Sequence, residues 1–317
     1  MLSFTCIGFA NNGDTPWDNY ARAAELFAQN ASSEEILILC KNAQKETDDP
    51  LLFARVSLLQ AHVLAKQKEM LKAHKILEKI YAGNKELPEA VVSEACLRAA
   101  QLYLQENQHD HAFWLLQMVA EKTSSMFMRQ EARLALASQF ADANNWQKCD
   151  SLLLNIVRDQ PAFDTDERLM VLRARQNIAN NEPQAAINLL QHGQGKEALR
   201  YLAQAYELVG NPIMTVGVYK KIHDRFSDSS EAEEALFQAG EVFMRSEDWI
   251  AARSQFNRLL QHFPNSHRAA VVYFRLGWIY LLLHQYEEAL NAFRSGLTPE
   301  NQSYIFFMEA ECLRRMG

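Results

Sequence analysis

The stretch "FSDSSEAEEALFQAGEVF" (residues 226–243) returns 37 residues later in altered form as "FPNSHRAAVVYFRLGWIY" (residues 263–280). Each copy begins with an aromatic residue and a serine-containing turn, and each places a glycine, Gly240 or Gly277, three residues before an aromatic side chain. A spacing of three keeps two side chains on one face of an α-helix. The two stretches therefore predict two copies of one helical unit.

The glycine of this unit belongs to a series of small residues, here called anchors, that runs along the chain. The steps between successive anchors are 37, 39, 37, 37, 29, 37, 37 and 33 residues. The anchors are Ala24, Ala61, Ala100, Ala137, Ala174, Ala203, Gly240, Gly277 and Ala310. Mostly small residues recur twelve positions after the anchor, and mostly Leu or an aromatic sixteen positions after it, which predicts a second helix packed on the first. The pattern predicts eight helical hairpins followed by a ninth first helix.

Turns and helix starts agree with this periodicity. Seven positions after the anchor, several repeats carry a residue that tolerates the left-handed backbone of a helix C-terminus. These residues are Asn107, Asn144, Asn181, Gly210 and Gly317. Thr15-Pro16 and Leu87-Pro88 are predicted helix starts, and Ser230 with Glu233 is predicted to form a capping box.

One step in the series is short. Only 29 residues separate Ala174 from Ala203, and the glycine-containing segment "QHGQGK" (191–196) lies between them. We interpret this segment as a hinge with fewer contacts than any other junction. It would divide the chain into an N-terminal leader or extension (1–16), an N-terminal sub-array of about five repeats (17–192) and a C-terminal sub-array (196–317).

Composition limits the class of function. The chain has 317 residues, 48% hydrophobic and 22% charged, which is typical of a folded protein. Its net charge of −7, with both signs interspersed, argues against a nucleic-acid-binding groove. The sequence has no apolar run of about 18 residues that would predict a transmembrane helix. Five scattered cysteines predict no disulfide framework and favour a reducing compartment, although a periplasmic protein with its leader removed would look the same. Cys40 and Cys149 fall at repeat positions that should be buried.

The sequence offers no residues for catalysis or for a cofactor. His109 and His111 are two apart, so on a helix they would point to different faces, and His262 and His267 lie in a junction between hairpins. There is no HExxH motif, no CxxC pair and no phosphate-binding loop. We therefore predict a non-enzyme with no metal site and no cofactor.

The repeat resembles the tetratricopeptide repeat family. The segment "LGWIYLLLHQYEEALNAFRSGL" (276–297) carries the small, Gly, Tyr, Ala and Phe residues of that pattern, and so does "AGEVFMRSEDWIAARSQFNRLLQHFP" (239–264). The resemblance covers roughly residues 17 to 317 and is closest over 196–317; the long step with "HFPNS" at the junction is similar to repeats of bacterial envelope proteins. It implies an all-α, right-handed superhelical solenoid of helix-turn-helix repeats.

The resemblance also implies where a partner would bind, because in this family the first-helix positions three before, one after and four after the anchor line a concave groove. In the C-terminal repeats the apolar residues at these positions are Phe237, Met244, Phe274, Trp278, Leu281 and Phe307. In the second and third repeats the corresponding residues include Leu58, His62, Leu97 and Gln101. The carboxylate clamp of chaperone-binding members needs Lys and Asn at the first two positions and is absent here.

Two functions follow as alternatives. The first is a scaffold or adaptor that holds a peptide segment or a helix of a protein partner in the groove. The second is a structural protein that forms homo-oligomers through the apolar C-terminal residues. Aromatic and Met side chains are typical interface anchors, yet curvature of the repeats could bury some of them in the core. An envelope role would be a refinement of the first alternative.

Overall fold

The computed structural model describes residues 15–83, 87–227 and 229–317. In these ranges the chain forms seventeen α-helices and one short 3-10 helix at Pro161–Thr165, without a β-strand. The helices are α1 (Pro16–Ala28), α2 (Ser33–Lys45), α3 (Pro50–Lys66), α4 (Met70–Gly83), α5 (Glu89–Gln105), α6 (His109–Lys122), α7 (Met126–Asp142), α8 (Trp146–Asp159), α9 (Glu167–Ala179), α10 (Pro183–Leu190), α11 (Lys196–Val209), α12 (Pro212–Arg225), α13 (Ser230–Arg245), α14 (Trp249–His262), α15 (Ala269–Leu282), α16 (Tyr286–Ser295) and α17 (Gln302–Met316). The leader or extension predicted for residues 1–16 lies, except for its last two residues, outside the described ranges.

Consecutive helices pair as the repeat predicts, α1 with α2 through α15 with α16, and α17 is the ninth first helix. The residues twelve positions after the anchor are all buried. They are Ile36, Ala73, Ala112, Cys149, Ala186, Thr215, Ala252 and Ala289. The chain therefore forms an all-α array of helical hairpins, in which the small positions bring the two helices of each pair close together.

The helices form two compact units, Met1–Pro161 and Ala162–Gly317. The first unit contains α1–α8, and its largest cluster of buried side chains runs from Ala54 in α3 to Leu136 in α7. The second unit contains α9–α17, and its buried clusters lie along α9–α13, along α13–α16 and between α15 and α17. Each unit is thus a stack of hairpins with its own core, as expected for repeat proteins in which each hairpin packs on its neighbours.

The structure differs from the predicted hinge at residues 191–196. Helix α10 has only 8 residues, which accounts for the short step, yet it shares a buried cluster with α9 and α11. Glu167 in α9 accepts hydrogen bonds from the backbone N–H groups of Gln194 and Gly195, both at 2.7 Å. A Cβ atom on Gly195 would collide with that carboxylate. The two glycines therefore allow close packing here, and no break in the stacking occurs at this segment.

The predicted helix starts are found with one correction. Thr15 forms a capping box with Asp18, and α5 begins directly after Pro88. The N-cap of α13 is Ser229 and not Ser230, and its side chain accepts from the backbone N–H of Ala232. Glu233 does not complete a capping box, because with Ser229 as the N-cap the N3 residue is Ala232; the Glu233 carboxylate accepts a hydrogen bond from the Ser266 hydroxyl.

The cysteines in the described ranges lie in the interior. Cys40 and Cys149 are buried, as predicted, and so are Cys96 and Cys312. Burial raises the pKa of the Cys40 thiol to about 11 and that of Cys96 to about 12, because a thiolate would lose its hydration there. These two side chains therefore act as small apolar residues in the core.

Candidate protein-binding surface

Two of the predicted surface residues, Phe237 and Phe274, occupy equivalent places in successive hairpins. Each is half-buried and rests on the fully buried phenylalanine of its own second helix. The ring centroids of Phe237 and Phe256 are 6.0 Å apart, and those of Phe274 and Phe293 are 5.7 Å apart. One side of each ring is thus fixed by the core, while part of the ring stays accessible to solvent.

The row of rings continues onto α17. The ring centroid of Tyr304 lies 5.5 Å from Phe274 and 6.5 Å from Phe307. Phe307 is 65% exposed, although it is a large apolar side chain. Tyr304 is not among the surface residues predicted from the sequence. Its position three residues before Phe307, on the same face of α17, is the signal that indicates it.

The other three predicted residues differ in burial. Met244 and Trp278 are half-buried and pack at the edge of the core. Leu281 is only 5% exposed and belongs to the buried cluster that joins α15, α16 and α17. A partner cannot reach Leu281 without disrupting that core, so we remove it from the predicted surface. The aromatic wall, as the term is used below, consists of Phe237, Met244, Phe274, Trp278 and Phe307.

Charged groups lie beside the aromatic wall. The Arg275 guanidinium contacts the Glu241 carboxylate at 2.8 Å, and the Arg268 guanidinium lies 5.0 Å above the Phe237 ring. On α17 the neighbouring Arg314 and Arg315 hold the pKa of Glu311 at about 2. The Glu311 carboxylate is therefore ionised at neutral pH, and charged side chains lie next to the apolar side chains of the wall, an arrangement typical of protein interfaces.

The histidines considered as metal ligands have other partners. His109 Nδ1 lies 2.7 Å from the side-chain oxygen of Gln139, and the His111 ring stacks on Tyr103. His267 faces Glu233, and His262 contacts the ring of His223. In residues 15–83, 87–227 and 229–317 no group of three or more His, Cys, Asp or Glu side chains is placed to hold a metal ion. The same ranges contain no helix with the length and hydropathy needed to cross a membrane.

The described residues form an all-α repeat protein built from helical hairpins, with apolar side chains exposed on its first helices. Residues 231–298, which span α13 to α16, match the family model described as tetratricopeptide repeat. Residues 231–298 therefore carry tetratricopeptide repeats, as the sequence predicts for this part of the chain. Proteins of this family generally mediate protein–protein interactions and generally act without catalysing a reaction.

Solved structures similar to this chain include two of tetratricopeptide repeat proteins and one of a MamA mutant. The tetratricopeptide repeat domain of P58(IPK) has 16% sequence identity and a TM-score of 0.32, and the match covers 95% of this chain and 98% of the other. A tetratricopeptide repeat protein from Parabacteroides merdae has 11% identity and a TM-score of 0.43, with 95% and 100% coverage. A mutant of MamA has 18% identity and a TM-score of 0.41, with 54% and 98% coverage. No curated protein sequence matches the chain significantly.

Proposed function

We propose that the chain is a non-catalytic scaffold or adaptor that holds a peptide segment or a helix of a protein partner against the aromatic wall. The observation that carries the proposal is the row of rings from Phe274 through Tyr304 to the 65% exposed Phe307. Large apolar side chains clustered at a surface are costly to hydrate, and their burial by a partner would remove that cost.

Trp278 is the first residue to test. Its ring is half-buried between the core and the surface, and aromatic residues in such positions dominate the energetics of many interfaces. Replacing an anchor of this kind by alanine typically costs about 2 kcal/mol or more of binding free energy. Trp278→Ala should therefore abolish capture of the partner by the immobilised protein.

The control must separate binding from folding. Trp114 is exposed in α6 of the other unit, so Trp114→Ala removes the same side chain without touching the aromatic wall. Both variants should melt close to the wild-type temperature, as followed by far-ultraviolet circular dichroism. A Trp278→Ala protein that still captures the partner argues against the wall, and one that unfolds assigns Trp278 to the core.

Self-association is a second candidate, supported by exposed apolar side chains on α17. Phe306 is 50% exposed and Leu313 is 51% exposed, and the anchor of this repeat, Ala310, is also exposed. In the hairpins before α17 the equivalent side of the first helix is covered by the second helix. Sedimentation or light scattering distinguishes the candidates: a monomer at all concentrations removes self-assembly, whereas a dimer disrupted by Leu313→Glu supports it.

A further inference from the structure

The first unit contains a hollow of about 180 Å³ between α3 and α5, and the predicted groove residues His62 and Gln101 are part of its lining. Its floor is apolar, formed by Leu58, Ala61, Ala65, Leu77 and Leu102. Its remaining lining consists of His62, Lys66, Arg98, Gln101 and Gln105, so every ionisable group in the lining is basic. We call this site the cationic hollow.

The two permanent cations of the hollow have weak partners. The Lys66 ammonium donates to the Asn30 side-chain oxygen at 3.1 Å and lies 4.3 Å from the centre of the Phe27 ring, and no carboxylate of the described residues lies within ion-pair distance of it. Among the residues that the structure describes, the Arg98 guanidinium has an ion pair only with the exposed Glu94 carboxylate, at 3.9 Å. Exposed pairs at such a distance contribute little, so both cations remain available to an incoming anion.

The His62 imidazole lies in the lining of the hollow together with Lys66 and Arg98. Its ring lies 4.7 Å from the Phe27 ring, at the same end of α3 as Lys66. Its partial burial and the positive charges of Arg98 and Lys66 lower its pKa, so the imidazole is neutral at neutral pH. The lining holds the Lys66 and Arg98 cations and no carboxylate, so the hollow is positively charged although the chain as a whole has a net charge of −7.

We propose that the cationic hollow binds an aspartate or glutamate side chain of a protein partner. An apolar floor beneath two cations and two amides fits a carboxylate carried on methylene groups, because the methylenes cover the floor while the carboxylate accepts from Lys66 and Arg98. A nucleic acid would need a longer basic stripe than these two cations supply. Lys66 lies five residues after its anchor and Arg98 two residues before its own, so neither occupies the predicted groove positions. The proposal does not depend on the aromatic wall.

The test uses the full chain and a short polyglutamate peptide that is acetylated and amidated, so that its only anions are side-chain carboxylates. Binding is followed by the NMR titration of His62, assigned by comparison with His62→Gln. A carboxylate bound beside the imidazole should raise the His62 pKa, since it offsets the two positive charges. Lys66→Ala combined with Arg98→Ala should weaken binding about tenfold or more, because two charge-assisted hydrogen bonds are lost.

The matched control is Lys41→Ala with Lys45→Ala, which removes two exposed positive charges from α2 of the same unit. This variant should bind the polyglutamate peptide as the wild type does. The proposal would be overturned if the Lys41→Ala, Lys45→Ala variant bound the peptide as weakly as the Lys66→Ala, Arg98→Ala variant does. It would also be overturned if the peptide left the His62 pKa unchanged. Binding only of a polyglutamine peptide with a free C-terminal carboxylate, or only of a phosphoserine peptide or an oligouridylate, would likewise overturn it.

Discussion

At the scale of single residues, the volume between the two helices of a hairpin is divided between the anchor and the residue sixteen positions later. Where the later residue is a buried leucine, as in Leu77, Leu116, Leu153 and Leu190, the anchor is alanine. Where it is a buried phenylalanine, Phe256 or Phe293, the anchor is glycine. A Cβ atom on Gly277 would lie 2.6 Å from the Phe293 ring, which explains the exchange.

This pairing of the anchor with the residue sixteen positions later predicts that a second substitution can restore lost stability. Gly277→Ala should lower the free energy of unfolding by about 1–3 kcal/mol, because the added methyl group overpacks the helix contact. Phe293→Leu in the same chain should recover part of that loss by restoring the alanine–leucine pairing of the other hairpins. Gly217→Ala is the control: nothing lies within 4 Å of the added atom, so it should stabilise α12 by about 0.5–1 kcal/mol. Additive losses in urea unfolding of the double variant would contradict the pairing.

From the second repeat onward, the residue seven positions after the anchor has a left-handed backbone, even where its type does not favour that conformation. Asn107 and Asn144 have φ angles of 58° and 54°, as their residue type predicts, but Glu247 has the same angle of 58°. A side chain at positive φ crowds its own backbone, a cost that glycine avoids. Glu247→Gly should therefore raise the melting temperature, by a free energy of about 0.5–1 kcal/mol. The neighbouring Ser246 has a φ of −89°, so Ser246→Gly should give no gain.

A buried histidine gives a pH dependence with a defined sign. His223 is 5% exposed, its Nδ1 has no hydrogen-bond partner among the described residues, and the His262 ring lies 5.2 Å away. Burial, with the nearby positive charge of Arg258 and the His262 ring, lowers its pKa against the opposing effect of Asp224. The unfolded chain therefore binds this proton more readily than the folded chain. The contribution of neutral His223 to the free energy of unfolding is fully present above about pH 6.5, the pKa of a free histidine. It is lost as the pH falls through the lower pKa that His223 has in the folded chain.

The measurement compares the pH dependence of the free energy of unfolding in the wild-type protein and in His223→Gln. Chemical unfolding at about pH 7 and about pH 5 should show a larger loss of stability for the wild-type protein. Parallel losses in the two proteins would mean that other groups set the pH dependence.

At the scale of helices, a carboxylate near the start of a first helix joins it to the next repeat at three junctions. Glu89 accepts from the backbone N–H of Ser124 at 2.8 Å, and Glu233 accepts from the Ser266 hydroxyl at 2.7 Å. Glu167 accepts from two backbone N–H groups before α11. In each case the carboxylate binds the turn that precedes the next first helix, where the backbone N–H groups have no partner within the helix.

Glu167→Ala tests this link. Loss of the carboxylate leaves two backbone donors without their acceptor, so the variant should lose about 1–3 kcal/mol of stability. Limited proteolysis should then cut within 191–196, which the wild-type protein should resist. The control is Glu197→Ala in the first turn of α11, whose carboxylate is exposed. Cleavage of the wild-type protein at 191–196 before any other site would contradict the close packing described here.

The sequence predicted the hairpins because anchor, turn and second-helix positions are all fixed by helix geometry. It could not predict the packing at 191–196, since glycine permits a flexible chain and a close contact equally well, and only the position of Glu167 decides between them. Burial at the wall was missed for a similar reason. Leu281 and Phe307 occupy groove positions of successive repeats, but Leu281 is covered by the following helix and Phe307 is not.

At the scale of the whole molecule, the two proposed surfaces differ in chemistry and share no residue. The aromatic wall of the second unit would take apolar side chains, and the cationic hollow of the first unit would take a carboxylate. A scaffold with two such sites recognises a partner by composition as well as by shape. Because the two surfaces share no residue, substitutions can address them one at a time.

Site-specific photo-crosslinking tests directly whether the aromatic wall contacts a protein partner. A benzophenone side chain placed at position 307 should form an adduct with a protein other than this chain in extracts of the source cells, and Trp278→Ala should abolish that adduct. The same group at position 114 should not form it. An adduct with the mass of two copies would support self-association instead. If position 307 gives no adduct, or gives the same adducts as position 114, the proposed binding surface is contradicted.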